Sequence, residues 1–495
     1  MADGVLEHPG DYKLPNIILI PSHGGDGIEI KNMVIELNIY EDIYNNAVTG
    51  TIGILDSTNL IQTLPLTGTE TLAFKLVTPG AEGDANLVVD ATETTGYPFH
   101  IYKLTDRRQV KEGTESYVLH FTSRELFRNI RTRVSQAYNG SLDLSARRIF
   151  TDKLGLDGRK KFVYEPTRNS DKVVIPNMHP FDAINLLASK ALSKNGNSAG
   201  YLFYETTKAF YFRSFENMLA NQTVFSRKEE LELKFSPKNV GAGKGKSKSV
   251  YSKEYNQHNV DSYSFAQHYD TITQQALGTY GSNVIMHNIY DKSYVETPFN
   301  YHKYFSEEYH ADRTSSKRGS QLHYPVTKTP VDEDGLSISE YPNSRIILSP
   351  TTRYLHNKDT GKFGTSIESE GLTEARMISR DNQTLSSNIL QLQLPGHSYL
   401  EAGDVIKFDL PSQEPRKGAY RGHIEDDYHS GRYVIMRLRH QIQKEGHLMV
   451  LDCVKDSVAN PYPEEEEYQG AIKKRAELVD VYEDDEGKIP GNYLI

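Results

Sequence analysis

A segment rich in glycine, lysine and serine, residues 241–249, has the composition of a loop that could bind phosphate. A phosphate-binding loop has the pattern G-x-x-x-x-G-K-[ST], in which backbone N–H groups wrap the phosphates and the lysine neutralises their charge. Residues 245–247 (Gly-Lys-Ser) fit the end of that pattern, but the position of the first glycine is occupied by Val240. No buried strand is indicated before the segment and no apolar helix after it. We therefore interpret it as a solvated linker.

Histidines and glutamates near the middle of the chain form a second pattern that could do chemistry. His302 and His310 flank the acidic pair 307–308, and His287 lies upstream. No pair of histidines has the i, i+4 spacing of a helical zinc motif, and no second cluster completes a set of four ligands. We therefore expect histidines at the surface or in an interface, and no metal site.

Carboxylates are the third group of candidates, because a glycoside hydrolase needs one acid in an apolar pocket with a raised pKa. Among 66 acidic residues, Glu205 is the one candidate, since it follows the apolar run 202–204, and solvation at a strand edge explains it as well. The one cysteine, Cys453, lies in a predicted strand, where a core position is the simplest interpretation. We predict no catalytic, cofactor-binding or metal-binding residue, and no enzyme activity.

The composition is that of a folded protein with several cores. The chain has 495 residues, one cysteine, 32 tyrosines and no tryptophan. One cysteine excludes an intrachain disulfide, and no stretch approaches the ~18 apolar residues of a membrane span. The first residues lack the pattern of a secretory signal. Tyrosine combines contact area with a polar tip, which suits subunit interfaces, although compositional drift explains the count equally well.

The formal net charge of −10 is concentrated at the C-terminus. Residues 461–495 hold ten acidic and four basic side chains, a net −6, which leaves −4 for the first 460. A mildly acidic chain is a poor candidate for gripping nucleic acid. Consecutive glutamates after prolines disfavour packing, but residues 471–481 could form about three helical turns. We expect this tail to be a docking or spacing element.

The elements that must position these residues begin with a run of short strands. Apolar and polar residues alternate with period two, the pattern of half-buried strands, and Gly, Pro and Asn punctuate the run. The predicted strands are 33–39, 48–54, 72–76, 87–91, 99–104 and 117–121. Residues 1–122 are therefore predicted to form a small antiparallel β-barrel or sandwich.

The hydrophobic period becomes helical after Ser123, which could cap a helix that ends near 139–140. Further helices are predicted from Ser141 to Gly155 and from Pro180 onward. A hairpin follows, with strands at 200–205 and 209–213 and a turn between them. We predict an α+β domain over residues 123–221.

The remainder is predicted to contain a second strand cluster. The expected units are possible strands joining the second barrel at 222–239, a tyrosine-rich polar peripheral domain at 240–374, a second β-barrel at 375–458 and the acidic tail at 459–495. Strands of the second barrel are expected at 390–394, 404–410, 433–439 and 447–454. The fold class is thus mainly β with α+β insertions: two small antiparallel barrels plus peripheral α+β domains.

Several strings in the sequence resemble the baseplate hub proteins of contractile-tailed bacteriophages. They cover residues 28–458 in patches, while the acidic tail does not align with the pattern. The strings are 35–43 (IELNIYEDI), 49–52 (TGTI), 56–61 (DSTNLI), 64–68 (LPLTG), 180–185 (PFDAIN), 201–205 (YLFYE), 212–214 (FRS), 278–282 (GTYGS), 430–434 (SGRYV) and 438–440 (LRH).

The resemblance implies two tail-tube-like barrels per subunit and a homotrimer whose six barrels form a ring with pseudo-sixfold symmetry. Such a ring adapts the hexameric tail tube to the trimeric central spike and forms part of the DNA channel, so its partners would be tube, spike and neighbouring wedge or plug proteins. DNA would only pass through. The expected location is the virion, after synthesis in the host cytoplasm. Two alternatives stay open: a tail-associated cell-wall hydrolase, and the equivalent hub of a bacterial contractile injection or secretion system.

Overall fold

A computed structural model gives the fold of this chain. The residues that it describes are 8–22, 24–64, 66–80, 88–94, 96–168, 170–194, 198–220, 231–235, 258–267, 269–288, 292, 294–312, 325–326, 328, 330, 335–351, 355–356, 363–364, 367–386, 388–412, 426 and 428–460. The predicted linker 241–249 and the acidic tail 461–495 lie outside these residues. No helix in the described part of the chain is both long and apolar enough to cross a membrane.

Residues 17–122 form one antiparallel sheet, the first barrel, around an apolar core. Its elements are β1 (Ile17–Ile20), β2 (Ile28–Glu29), β3 (Val34–Asp42), β4 (Thr49–Asp56), α1 (Leu60–Thr63), β5 (Thr71–Leu76), β6 (Val89–Ala91), β7 (Phe99–Lys111) and β8 (Thr114–Thr122). The period-two pattern holds in part of β3: Leu37 and Ile39 lie in the core and Tyr40 is exposed, but Asn38 is buried too. Ile35, next to an irregularity in the β3–β4 pairing, is exposed. The predicted strands of this cluster are confirmed.

An α+β unit follows, with a second apolar core. Its elements are α2 (Arg124–Arg131), β9 (Val134–Ser141), α3 (Leu142–Thr151), β10 (Lys161–Tyr164), β11 (Ser170–Met178), α4 (Pro180–Ala188), β12 (Tyr201–Glu205), β13 (Ala209–Ser214) and α5 (Phe215–Ala220). The predicted helix ending near residue 139 is wrong in its second half: α2 ends at Arg131, and β9 pairs with β11. The other helices and the hairpin of β12 with β13 are confirmed.

The tyrosine-rich middle of the chain contains more regular structure than its weak periodicity indicated. Its elements are β14 (Leu231–Phe235), β15 (Asn259–Val260), β16 (Ser262–Gln267), α6 (Thr271–Ala276), β17 (Gly281–Asn288), β18 (Tyr294–Asn300), α7 (Tyr301–Tyr304), β19 (Ile346–Thr351), β20 (Leu355–His356), β21 (Phe363–Gly364) and α8 (Ile367–Ser386). Strands β18, β17 and β19 form a sheet, and the 20-residue α8 packs against β17 and β18. These elements enclose a small core of their own.

The second barrel contains the last four strands together with β14, β15 and β16. Those four strands are β22 (Asn388–Pro395), β23 (Val405–Asp409), β24 (Gly431–Gln443) and β25 (Gly446–Lys455). Strand β14 pairs in parallel with β23, and β16 pairs antiparallel with β22. The four late strands lie where the alternation predicted them, and their apolar residues form a separate core. The mainly β fold class with α+β insertions is confirmed.

The two barrels repeat one order of strand neighbours. In the first barrel the order is β2-β1-β5-β7-β8-β4-β3, and in the second it is β15-β14-β23-β24-β25-β22-β16. The orders correspond strand for strand, although β14 pairs in parallel with both of its neighbours whereas β1 pairs antiparallel with both of its own. Strand β24 also pairs with β3, so hydrogen bonding joins both barrels into one 15-stranded sheet.

Candidate functional site

The place where the two barrels meet is the feature of this molecule with the most evident functional meaning. Residues 437–443 of β24 pair antiparallel with residues 36–42 of β3, and we call this pairing the seam. Arg437 Nε lies 3.0 Å from Asp42 Oδ2 across the seam. Arg439 donates from Nε to Asn38 Oδ1 at 3.0 Å and from Nη2 to the carboxylate of Glu36 at 3.1 Å. Backbone hydrogen bonds and side-chain ion pairs therefore hold one barrel against the other.

The seam forms because β24 is longer than its first partner. Its residues 431–434 pair with β23, and from residue 437 onward the same edge is available to β3. Its opposite edge is occupied by β25 along most of its length. A bulge at residue 436 separates the two halves of the β24–β25 pairing and lies where the other edge of β24 changes partner from β23 to β3.

The turn of the β12–β13 hairpin lies against both barrels, and we call residues 205–208 the hairpin tip. On the side of the first barrel, Glu205 accepts the Val48 N–H at 2.9 Å, and the Thr207 N–H donates to Glu41 at 2.7 Å. On the side of the second barrel, Thr206 Oγ1 donates to Glu401 at 2.7 Å. Lys208 Nζ donates to the Tyr399 carbonyl at 2.7 Å. Four consecutive residues thus connect three parts of the chain.

The hairpin reaches this place because both of its faces are apolar. Phe210 and Phe212 belong to the core of the α+β unit, while the alternate residue Tyr211 belongs to a cluster shared with the second barrel. Successive side chains of a strand point to opposite faces, so a strand with apolar residues at every position is buried on both sides. The hairpin is therefore held as a central layer.

Two carboxylates that contact the hairpin tip accept several buried hydrogen bonds. Glu41, which is 2% exposed, accepts the N–H groups of Thr207 and Ala402 on its two oxygens, at 2.7 and 2.8 Å. Glu401 accepts the hydroxyls of Thr206 and Tyr211, each at 2.7 Å. Burial, and secondarily the charge of Glu401, raises the pKa of Glu41 above its ordinary value.

Asp404 completes this acidic group. Its carboxylate accepts the N–H of Glu401 at 3.1 Å, and Asp404 is itself buried. Burial together with the Glu401 charge raises the pKa of Asp404 to about 7, while the charges of Lys208 and Arg213 oppose the rise. The contact region between the two barrels therefore contains a carboxyl group, that of Asp404, that changes its charge near neutral pH.

Glu205, the single carboxylate considered for catalysis, also lies between the two barrels. The alternative prediction, that it is a solvated acid at a strand edge, is wrong. Its side chain is completely buried, and Lys160 Nζ lies 2.7 Å from Oε1. The same ammonium donates to the Thr206 carbonyl at 2.9 Å. Burial raises the pKa of Glu205 and the Lys160 charge opposes that rise. The sequence signal that was missed is the lysine, which stands 45 residues earlier in the chain.

A pocket of about 310 Å³ lies beside this ion pair. Glu125 is its second buried acid, and its Oε1 accepts the Arg159 N–H at 3.2 Å. Each of the two acids is thus bound to protein groups, Glu205 by Lys160 and by the Val48 N–H. This arrangement favours a structural role for both acids over general acid catalysis. The lining residues are Thr71, Glu93, Gly96, Tyr97, Pro98, Phe99, His100, Ser123, Arg124, Glu125, Arg159, Lys160 and Glu205.

The histidines of the middle segment are less exposed than expected. His302 is buried, and its Nδ1 lies 2.7 Å from Ser339 Oγ. His310 is 1% exposed, and its Nδ1 lies 2.8 Å from Asp456 Oδ2. Neither side chain is at the surface, and the alternative of a position in a subunit interface stays a prediction. His287 is half-buried on β17. Among the residues that the structure describes, no group of three or more His, Cys, Asp or Glu side chains could hold a metal ion.

An ion cluster around Asp456 attaches the middle segment to the second barrel. Arg380 of α8 pairs with Asp456, which follows β25, and with Glu308 at 2.7 Å. Burial alone would raise the pKa of Asp456, but contact with His310 and the charge of Arg380 hold it well below its usual range. Neither Arg380 nor Asp456 stood out in the sequence. Cys453, two residues inside β25, is buried in the core as predicted.

Comparison with known proteins connects this architecture to phage tails. No model of a protein family matches the chain. The probable baseplate hub protein gp334 of Vibrio phage KVP40 is 20% identical to it over 442 residues, which cover 87% of this chain and 92% of the relative. The resemblance to baseplate hub proteins that the sequence strings indicated is confirmed.

Several solved structures have a chain path similar to most of this chain, each with a TM-score below 0.5. A tail protein from Neisseria meningitidis has a TM-score of 0.48 at 11% identity, with 90% of this chain and 97% of that chain covered. The 43 kDa tail protein of prophage MuSo2 from Shewanella oneidensis has a TM-score of 0.48 at 9% identity, covering 90% and 99%. A type VI secretion component from E. coli has a TM-score of 0.39 at 11% identity, covering 87% and 74%.

Proposed function

We propose that this chain is the structural baseplate hub of a contractile phage tail. Three copies form a ring of six barrels with pseudo-sixfold symmetry, which adapts the hexameric tail tube to the trimeric central spike. The ring forms part of the channel through which DNA passes, and the chain acts as a structural protein. Its partners are the tube protein, the spike protein and the neighbouring wedge or plug proteins, all in the virion after synthesis in the host cytoplasm.

The observation that carries the proposal is the repeat of one strand order in two barrels joined edge to edge. A closed ring needs contacts that repeat with a fixed rotation. Two similar barrels in one chain supply two of six similar positions, so three chains fill the ring. The likeness to a probable baseplate hub protein over 87% of the chain supports the same assignment.

The charge of the chain agrees with a conduit. A channel that DNA must traverse should attract phosphate weakly, because each lysine or arginine that contacts a phosphate adds to retention. The formal charge is −10 for the whole chain and −4 for residues 1–460. The α+β unit and the segment with β17–β19 lie outside the repeated strand order, and we assign them to contacts with neighbouring baseplate proteins. We also propose that the domains have the boundaries predicted from the sequence.

Light scattering of the purified chain tests the assembly. A trimer has a mass of about 168 kDa, three times the 56.1 kDa of one chain. Electron microscopy of the same sample should show rings with six similar lobes and a central hole. A monodisperse 56.1 kDa species at micromolar concentration, unchanged after addition of the spike protein, would contradict the proposal.

Removal of the acidic tail provides a second test. We assign residues 461–495 to docking or spacing, so a chain truncated after residue 460 should still form the trimer. Loss of the trimer on truncation would contradict that assignment. A turbidity assay on peptidoglycan with the full chain tests the alternative of a cell-wall hydrolase, for which a fall in turbidity would be the supporting result.

A further inference from the structure

A short segment before the first strand bridges the two barrels, and we call its residues 8–14 the strap. Toward one end, the Gly10 carbonyl accepts the N–H of His447, a residue of β25, at 2.9 Å. Toward the other end, Lys13 and Val77 exchange two backbone hydrogen bonds, at 2.8 and 3.0 Å, just beyond β5. The strap is therefore bonded both to the second barrel and to the first.

A pair of buried histidines lies at the second-barrel end of the strap. His440 of β24 is 0% exposed and His447 of β25 is 2% exposed. Nδ1 of His440 lies 3.0 Å from Nε2 of His447. His440 also belongs to the seam, where it pairs with Ile39 of the first barrel. The pair thus lies where the strap, the seam and the second barrel meet.

Backbone from two directions encloses His447. Gly396, which follows β22, donates its N–H to the His447 carbonyl at 2.8 Å, and a Cβ at residue 396 would overlap the imidazole ring. Gly10 of the strap has a φ of +81°, and a Cβ there would lie 2.8 Å from the His447 carbonyl oxygen. Because both segments pack directly on this residue, its ring gains access to water when one of them moves away.

Hydrogen bonding within the pair is incomplete when both rings are neutral. A neutral imidazole has one N–H donor and one bare nitrogen, so the contact between the rings uses one donor and one acceptor. One donor and one acceptor remain, at His440 Nε2 and His447 Nδ1. Neither nitrogen has a hydrogen-bond partner among the residues that the structure describes. A proton added to the pair would create a second unpaired donor together with a buried charge.

The surroundings of the pair favour neutral rings. Burial, then the neighbouring His447 and the charge of Lys208, holds the pKa of His440 well below its ordinary value. Burial lowers the pKa of His447 to about 3. The titratable groups of the adjoining segments are Asp11, Tyr12 and Lys13 in the strap, Glu41 on β3, Lys208 at the hairpin tip, His397 after β22, and Lys444 and Glu445 between β24 and β25.

We propose that the pair of His440 and His447 is an acid-sensitive latch, which holds the strap across the two barrels at neutral pH and releases it in acid. The inference goes beyond the proposed hub, because the latch lies within one chain and needs no ring. When the strap lifts, the rings meet water and can take up protons.

The lowered pKa of both rings sets the direction of the effect. Above an ordinary histidine pKa of about 6.5, the rings are neutral in both states, and pH does not act through them. Below it, the released state binds protons and the latched state does not, until the pH approaches about 3, the pKa of buried His447. Each pH unit in this window should favour release by up to about tenfold for each ring that takes up a proton.

A fluorescent label on the strap of the full chain tests the latch. His8→Cys provides an exposed attachment point and removes the histidine of the strap itself, while the native Cys453 is buried and does not react. The anisotropy of the label should fall reversibly between about pH 6.5 and pH 4, because the strap gains freedom. Far-UV circular dichroism should stay constant over the same range, since the barrels remain folded.

Two variants of the labelled chain make the result specific. His440→Asn with His447→Gln replaces both rings by amides, which form a hydrogen bond but do not ionise, so the label should not respond to acid. His120→Gln removes a histidine of β8 whose Nε2 lies 2.9 Å from Thr105 Oγ1, and should leave the response unchanged. If the double variant does not fold, His447→Gln alone should reduce the proton uptake on release from about two to about one, which the steepness of the transition measures.

Four results would overturn the inference. Constant anisotropy from pH 7.5 to pH 4 would mean that the histidine pair does not control the strap. A response that persists in the double variant, or that is lost in His120→Gln, would assign the release to other groups. A fall in anisotropy that occurs only together with a loss of circular dichroism would mean acid unfolding of the whole chain. The trimer is tested separately by light scattering, so none of these results decides the proposed function.

Discussion

The seam and the hairpin tip both hold the first barrel against the second, but they use different interactions. The seam is a backbone ladder seven residues long whose ion pairs are partly exposed: the Arg437 side chain is 53% exposed and that of Asp42 27%. The hairpin tip makes fewer contacts, and its ion pair with Lys160 is almost completely buried: the Lys160 side chain is 2% exposed and the Glu205 side chain 0%.

The difference indicates that the attraction between the two barrels and the angle between them depend on different contacts. Backbone ladders form between any two compatible edges, whereas a buried charge without its partner carries a large desolvation cost. We infer that the ladder supplies the attraction, and that the buried groups of the hairpin tip fix the angle at which the barrels meet. Breaking the two sets of contacts should therefore give effects of different size.

The largest effect is expected from Lys160→Met. This variant leaves the Glu205 carboxylate buried with the Val48 N–H but without its cation, which should lower the free energy of unfolding by about 3–5 kcal/mol. Denaturant titration provides the measurement. The double variant Lys160→Met with Glu205→Gln removes both charges and should recover most of the loss. A single-variant loss as small as that of a surface ion pair would contradict this account of the hairpin tip.

Glu41→Ala should have the next largest effect. It removes the acceptor of two buried N–H groups, those of Thr207 and Ala402, and an unpaired buried donor costs about 1–3 kcal/mol. The control is Glu41→Gln, which keeps one oxygen acceptor and should lose less. Denaturant midpoints with unchanged slopes would attribute the loss to stability. Equal losses in both variants would show that shape, and not hydrogen bonding, determines the contribution of this residue.

The contacts around the hairpin tip should also respond to pH, through Asp404, which accepts the N–H of the Glu401 that Thr206 contacts. The pKa of this carboxyl is raised to about 7 in the folded chain, above the ordinary value of about 3.9. Its contribution to stability is therefore fully present below pH 4 and is lost as the pH rises through 7. The free energy of unfolding should therefore fall between pH 6 and pH 8, by on the order of 1 kcal/mol.

Denaturant titrations at several pH values measure this effect. The control is Asp404→Asn, which cannot ionise but keeps an oxygen for the Glu401 N–H, so its stability should vary less over the same range. A profile that is the same in the variant and in the natural chain would assign the pH dependence to other groups, such as Glu41, whose pKa burial also raises.

Local patterns in the sequence were sufficient to predict the strands of the two barrels, but not the contacts between the barrels. Strands such as β3 and β25 alternate apolar and polar residues, and one buried face imposes that alternation. In contrast, Val134 continues the helical spacing of α2, yet it lies on β9, because pairing with the distant β11 outweighs the local pattern.

The partners of buried charges were beyond the reach of local patterns. Glu205 attracted attention as an acid after an apolar run, but the cation that neutralises it stands 45 residues away, on the other side of two strands and a helix. Asp456 and Arg380 are likewise 76 residues apart. Such pairs depend on the tertiary fold, which spacing along the chain does not encode.

The smallest effect is expected from Arg437→Ala in the seam. In the ion pair of Arg437 with Asp42, the arginine is the more exposed side chain. Exposed ion pairs contribute about 0–1 kcal/mol to the free energy of unfolding, and salt reduces this contribution further. The control is Arg439→Ala, whose guanidinium contacts both Asn38 and Glu36 and should cost slightly more. Unfolding measured at low and high salt checks both variants. A loss above 2 kcal/mol for Arg437→Ala would mean that charge holds the seam. A small loss would mean that backbone hydrogen bonds hold the seam and that its ion pairs add little.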